Sequence, residues 1–199
     1  MTADLSVRPG LPEDAAAIAR IQLGYMRRMV AEVAGEDSAA VASLPPLEAM
    51  AAQWGQILSV PSPDGCHTLV ALHGHEVVGF ASCSPAAEVS AAFTATRAGS
   101  ATDEADVAGG DSGRTIPGGC GIDNLVIDPD FLRAGHASRL IAALSDITGA
   151  EVFQMWVWEA DEPRIRFLSS CGFGPAGVRR GLTMSEDQVL VEHLWWSKK

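Results

Sequence analysis

The chain reads as an α+β protein with a mixed sheet, and three features of its sequence predict this class. Two pairs of short apolar runs, His67–Leu72 with Val77–Ser82 and Arg180–Met184 with Val189–Trp196, flank tight polar connections, as hairpins do. Between them an apolar strand, Gly121–Ile127, stops at Pro129 and leads into a segment with apolar residues at helical spacing. The whole order is strand, helix, helix, hairpin, strand, helix, strand, helix, hairpin. That adds up to about seven strands and about four helices.

Each element has a local cause. Leu5–Arg8 is a short apolar strand broken by Pro9-Gly10. Pro12, Glu13 and Asp14 suit a helix start, proline by its fixed φ and the carboxylates by the positive end of the helix. Ile18, Ile21 and Tyr25 then recur at helical spacing, to about Val30. The small residues of Ala34–Ser43 read as loop or frayed helix. Pro45-Pro46 opens a second helix, Leu47–Leu58, with Met50, Trp54 and Ile57 on one face. The third helix carries Leu140, Ile141, Leu144 and Ile147 as an apolar stripe and closes at Gly149. Val152–Trp158 is apolar almost throughout, as in a strand covered on both faces. Pro163 starts a short helix through Leu168, and Gly172 ends it.

Ala86–Gly119 differs in kind. It is rich in Ala, Gly, Ser, Thr and Asp and reads as a flexible insertion in a single domain spanning 1–199. Asp103, Glu104 and Asp106 within it read as solvated loop residues. Apolar residues make up 47% of the chain, enough for one core. No apolar run reaches the ~20 residues that cross a bilayer, so no membrane partner is expected. The opening residues do not follow the secretion-signal pattern. Cys66, Cys83, Cys120 and Cys171 are scattered, as reduced thiols of a cytoplasmic protein are. The net charge of -11 argues against a nucleic-acid partner, whose phosphates need clustered Lys and Arg, and suits a cationic one. The five histidines lack metal-ligand spacing, so no metal is expected.

The chemically informative stretch is Leu125–Ser138. A buried strand ends at a proline, crosses a tight turn and enters a helix with Gly135 and Ala137 at the junction. Small residues admit a ligand close to the backbone. The first N–H groups of the helix lack intrahelical partners and lie at its positive end, which suits a pyrophosphate. Small residues also occur at ordinary helix starts.

Here the sequence resembles the GNAT family of acetyl-CoA-dependent N-acetyltransferases. The family pattern Leu-x-Val-x-Pro-x-Tyr-Arg-x-x-Gly-x-Gly/Ala is met by Leu125, Ile127, Pro129, Phe131, Leu132, Gly135 and Ala137. Ser6-Val7-Arg8-Pro9 with Pro12-Glu13-Asp14-Ala15, then Val77-Val78-Gly79-Phe80, then Phe167-Leu168-Ser169-Ser170-Cys171-Gly172-Phe173 match further family elements in order. The resemblance implies a GNAT-like fold with a mixed, mostly antiparallel sheet. It implies acetyl-CoA as cosubstrate and a small-molecule or peptide amine as acceptor. It departs at Leu132, where the family has Arg or Gln, at Leu168, where it has the tyrosine that protonates the departing thiolate, and at Asp161, where it has asparagine.

The resemblance places the pantetheine arm along Leu125, Val126 and Ile127, with the Ile127 N–H polarising the thioester carbonyl. It places the pyrophosphate against Arg133, Ala134, Gly135, His136, Ala137 and Ser138. The side chain of His136 then faces solvent or the phosphate. Asp123 stands where many relatives have a basic glutamate. Strict alternation puts Asp123, Leu125 and Ile127 on one side of the strand. Asp123 is the catalytic-base candidate, the plainer reading being a solvated aspartate near a strand end. Acceptor candidates are Tyr25, Met26, Met29, Trp156 and the Ser185–Gln188 turn. Trp195 and Trp196 bury either within the fold or against a second copy of the chain in a homodimer. Three functions compete: an enzyme acetylating a primary amine; a non-catalytic module that binds acyl-CoA, which Leu132 and Leu168 favour; and an unrelated nucleotide-binding α/β protein. The last lacks a P-loop lysine and a full Gly-x-Gly-x-x-Gly turn.

Overall fold

The structure, a computed structural model, describes residues 5–90, 115–185 and 188–199, of which 184, 185 and 188 by backbone alone. The strands are β1 (Leu5–Pro9), β2 (His67–His73), β3 (Glu76–Ala86), β4 (Val89–Ser90), β5 (Thr115–Ile116), β6 (Gly119–Ile127), β7 (Val152–Trp158), β8 (Gly174–Ser185) and β9 (Gln188–Lys198). The helices are α1 (Ala15–Ala34), the single turn α2 (Ala39–Ala42), α3 (Leu47–Ser59), α4 (His136–Thr148) and α5 (Glu162–Ser170). Seven strands form one sheet in the order β1-β2-β3-β6-β7-β9-β8, with β4 and β5 a separate two-stranded ladder. The predicted mixed, mostly antiparallel sheet is therefore present, its parallel pair being β6 with β7. No described helix is long and apolar enough to cross a membrane.

The chain divides into two compact units, the first from Met1–Ser84 and Ile122–Gly149, the second from Pro85–Gly121 and Ala150–Lys199. In the first, β1 pairs with β2 and β2 with β3, both antiparallel. Ile18 and Ile21 of α1, Met50 and Trp54 of α3, Val70, Phe80 and Val126 form a buried cluster, with the Trp54 and Phe80 rings edge-on at 5.4 Å. Ile57, expected on the buried face of α3, is 44% exposed; Leu58 packs against the cluster instead. The start of α1 depends on Asp14. Its carboxylate pairs bidentately with Arg8, at 2.6 and 2.9 Å, and accepts the Leu11 N–H at 2.8 Å. Burial pushes the Asp14 carboxyl up, but the Arg8 and Leu11 hydrogen bonds outweigh it and hold the group below its usual range.

α4 packs against β1 and β2. Its buried side chains are His136, Leu140 and Leu144, which recur every fourth residue. The expected stripe is thus shifted: Ile147 is 47% exposed and Ile141 half-buried, while His136 takes the buried place one turn before Leu140. A stripe read from apolar residues alone passes over a histidine.

In the second unit β7 pairs antiparallel with β9, and β9 with β8. As expected, β7 is buried at every position but Trp156. Ile116, Ala176, Val178 and Leu194 form the unit's cluster, with Trp156 and Trp196 against it. Of the segment 86–119, Val89–Ser90 and Thr115–Ile116 make a ladder, and 91–114 lie outside the described residues. The buried Gln154 side chain braces that ladder, donating to the Ala87 carbonyl at 3.1 Å and the Pro117 carbonyl at 2.8 Å.

Candidate functional site

The turn between β6 and α4 begins at Asp128. Its N–H donates to the Val78 carbonyl at 2.8 Å, its carbonyl accepts from the Phe131 N–H at 2.9 Å, and its Oδ1 accepts the Asp130 N–H at 3.2 Å. The other oxygen, Oδ2, is 2.6 Å from Nη1 of Arg20 on α1. The chain then runs through a single turn of 3₁₀ helix, Pro129–Phe131, to Arg133 at φ 65° and Gly135 at φ 83°. Both are left-handed, a conformation that costs a non-glycine residue energy. A Cβ on Gly135 would also lie 2.8 Å from Nη1 of Arg139. Arg133, Ala134, Gly135 and Ser138 are exposed and Ala137 is half-buried. The first bond within α4 runs from the Arg139 N–H to the Gly135 carbonyl at 3.2 Å, and no side chain caps the helix. The N–H groups of His136, Ala137 and Ser138 precede that bond and lack an intrahelical acceptor. An exposed turn of left-handed backbone running into uncapped N–H groups fits a pyrophosphate.

The His136 side chain is not part of that surface. It is 2% exposed, with its ring 5.8 Å from that of His73 in an edge-on arrangement, and His73 in turn lies 5.1 Å from Phe131. Neither ring nitrogen of His136 has a hydrogen-bond partner. Burial, then the neighbouring His73 and Arg139, hold its imidazole below its ordinary pKa, so it is neutral. The reading in which this side chain faces solvent or phosphate is overturned; what His136 offers a ligand is its backbone N–H.

Along β6 the two edges are distinguished by hydrogen bonding. Asp128 bonds to β3, and a Cβ on Gly79 of β3 would come within 2.9 Å of the Val126 carbonyl oxygen. Val126 and Asp128 therefore direct their backbone groups to β3, and by alternation Leu125 and Ile127 direct theirs to the opposite edge. Leu125 and Val126 are buried and Ile127 is half-buried. The β6–β7 ladder covers Cys120 with Phe153 and Gly121 with Gln154.

The pairing is irregular around Asp123. Asn124 accepts from Nε2 of Gln22 at 3.3 Å and donates to Oγ of Ser82 at 2.8 Å, while Val126 and Asp128 also meet α1 or its cluster. Strict alternation would send Asp123 to the other face with Leu125 and Ile127. Yet Oγ of Ser84 donates to Oδ1 of Asp123 at 3.1 Å. Serines two apart on β3 therefore bond to consecutive residues of β6, so the regular pleat is interrupted in one of the two strands at this point. The residue is open to solvent, but protein crowded around its carboxyl raises the pKa, against the pull of the Ser84 hydrogen bond.

Several of the acceptor candidates take part in packing. Tyr25 and Met26 pack against the first unit's cluster, with the Arg28 guanidinium 6.0 Å from the Tyr25 ring centroid. Met29 is half-buried. In the second unit the Arg180 guanidinium lies 4.4 Å over the Trp156 ring and is held by Glu192 through two nitrogens at 2.7 Å, so one face of that indole is covered. Of the Ser185–Gln188 turn, residues 186 and 187 lie outside the described residues. Leu168 is fully buried and Leu132 is 54% exposed. Asp161 caps α5 by accepting the Arg164 N–H at 3.2 Å. Burial pushes the Cys171 thiol up, which disfavours a reactive thiolate there. Among the described residues no three metal-ligating side chains converge.

Sequence reasoning missed Trp54, Gln22, Asn124 and Ser82 as one polar chain, joined by the Trp54 Nε1 bond to Gln22 Oε1 at 2.7 Å. It also missed Arg20 with Asp128. The one available signal was polarity inside apolar runs, at Gln22, Asn124 and Asp128.

Comparison with known proteins bears on the fold and the family. No curated protein matches the sequence. Solved structures with the same fold include a GCN5-related N-acetyltransferase from Rhodopseudomonas palustris, with 22% identity over 100% of this chain and 98% of that one and a TM-score of 0.61. The paia N-acetyltransferase of Thermoplasma acidophilum, in complex with coenzyme A, shares 11% identity over 98% and 99% of the two chains at a TM-score of 0.59. A ribosomal-protein-alanine N-acetyltransferase from Brucella melitensis shares 15% over 98% and 99% at 0.58. The model of the acetyltransferase (GNAT) family matches residues 29–173, and the chain belongs to that family.

Proposed function

We propose that this chain is an N-acetyltransferase that passes an acetyl group from acetyl-CoA to a primary amine by direct attack. Acetyl-CoA is the cosubstrate of the family, and the amine its acceptor. The observation that carries the reading is the exposed turn with Arg133 and Gly135 in left-handed backbone, leading into the uncapped N–H groups of His136, Ala137 and Ser138. When bound, acetyl-CoA supplies an acyl group activated as a thioester.

The chain's own residues then have separable tasks. The backbone from Arg133 to Ser138 holds the pyrophosphate, with the Arg133 side chain exposed beside it. The outward backbone groups of Leu125 and Ile127 align the pantetheine arm, and the Ile127 N–H is the donor for the developing oxyanion. Asp123 takes the proton that an alkylammonium must lose before its nitrogen can attack. Its raised pKa suits that role. Tyr25 and Met29 on α1 are the acceptor candidates of the first unit in this reading, and Trp156 that of the second. Leu168 supplies no proton, so water protonates the thiolate released. The absence of a disulfide at Cys66, Cys83, Cys120 and Cys171 accords with a cytoplasmic setting.

A thiol-release assay over a panel of amines tests this, with Gly135→Val and Asp123→Asn as controls. The expected result is turnover with at least one amine, acetyl-CoA binding lost in Gly135→Val, and turnover reduced about a hundredfold or more in Asp123→Asn with binding retained. Tight acetyl-CoA binding with no CoA release for any amine would favour the acyl-CoA-binding module, which the buried Leu168 at the usual tyrosine position favours.

A further inference from the structure

The cofactor turn is tied to α1 by an ion pair between Arg20 and Asp128. Asp128 closes β6 and opens the turn, and it uses all its polar groups there: N–H to β3, carbonyl to Phe131, Oδ1 to the Asp130 N–H, Oδ2 to Arg20. The Asp128 side chain is 10% exposed and that of Arg20 is 51% exposed. A carboxylate this buried needs its partner, whereas a half-exposed guanidinium can return to water. The pair therefore fixes Asp128 more than it fixes Arg20. Because Oδ1 accepts the N–H of Asp130, the carboxylate that Arg20 holds also holds the backbone leading to Arg133 and Gly135. Two residues along the same helix, Gln22 bonds to Asn124, so α1 holds β6 at a second point.

We infer that Arg20 and Asp128 are positioning residues for acetyl-CoA, setting from α1 the turn that grips the pyrophosphate without touching it. The inference rests on the cofactor site proposed above.

The test is acetyl-CoA affinity by titration calorimetry for Arg20→Ala, Asp128→Asn, the double variant, Arg20→Lys and Gly135→Val, with each variant's melting temperature measured without ligand. Arg20→Ala and Asp128→Asn should each weaken binding about tenfold, with the double variant no weaker than either alone. Arg20→Lys should recover most of the loss, because the contact is a single nitrogen to a single oxygen. In steady state the KM for acetyl-CoA should rise while kcat at saturation stays within about twofold, a split that a loss of fold would not produce. Binding within about twofold of the parent in both single variants, or additive losses in the double, would overturn the inference. Arg20→Ala, whose side chain is half exposed, carries the test if Asp128→Asn does not fold. Unchanged binding in Gly135→Val would mean that the cofactor site itself is misplaced; loss in Gly135→Val alone would mean that only the role of Arg20 and Asp128 is wrong.

Discussion

Asp128 and His136 flank the same turn, both buried, and the protein treats them oppositely. Asp128 has a partner for each polar group, including the Arg20 guanidinium at 2.6 Å. His136 has none for either ring nitrogen. The difference follows from charge. A carboxylate keeps its charge at neutral pH and cannot be buried without compensation. An imidazole can shed its proton, and a neutral ring tolerates an apolar pocket at the cost of unmade hydrogen bonds. One end of the turn is thus held by electrostatics and the other by packing, and the two ends should fail differently.

The largest expected effect breaks the Asp128 end. Asp128→Ala should lower the free energy of unfolding by about 3 kcal/mol in urea, less if water reaches the freed Asp130 N–H. A loss below about 1 kcal/mol would show that the Arg20 pair is a surface contact of the weak kind. Next comes the acid response of the His136 end. Its imidazole is held below its ordinary pKa by burial and by His73 and Arg139. As pH falls below the unfolded value of about 6.5, the unfolded chain takes a proton that the folded chain refuses, so stability is full above that value and falls below it. Melting temperatures from pH 7.5 to 5 should fall in the parent and fall less in His136→Leu. At neutral pH the same variant should lie within about 1 kcal/mol of the parent, since an apolar side chain leaves nothing unpaired. A cost of several kcal/mol would reveal a hydrogen bond through water. The smallest effect belongs further along α4. Ile147→Lys, at a 47% exposed position, should change stability by no more than about 0.5 kcal/mol. A larger loss would mean that the stripe does extend to Ile147.

α4 shows how far the sequence could be read. Its length, its start after Gly135 and its end at Gly149 were all legible, because glycine in left-handed backbone at both ends is a local property. Which residues of its stripe are buried was not, because periodicity marks a face and not its edges. β7 was read correctly as covered on both sides from its unbroken apolar run. β6 was placed correctly, but regular alternation of both strands does not account for the bond between Ser84 and Asp123.

The residues by themselves determined the order of strands and helices, the strand–turn–helix that marks the family, and the glycine that the turn requires. These follow from spacing and from backbone preference within a few neighbours. Only the tertiary structure decided that Arg20 meets Asp128, that Gln22 meets Asn124, and that His136 is enclosed with His73. Each of those pairs joins residues distant in the chain, and a bond between distant residues depends on how the packed core brings them together, which no local preference encodes.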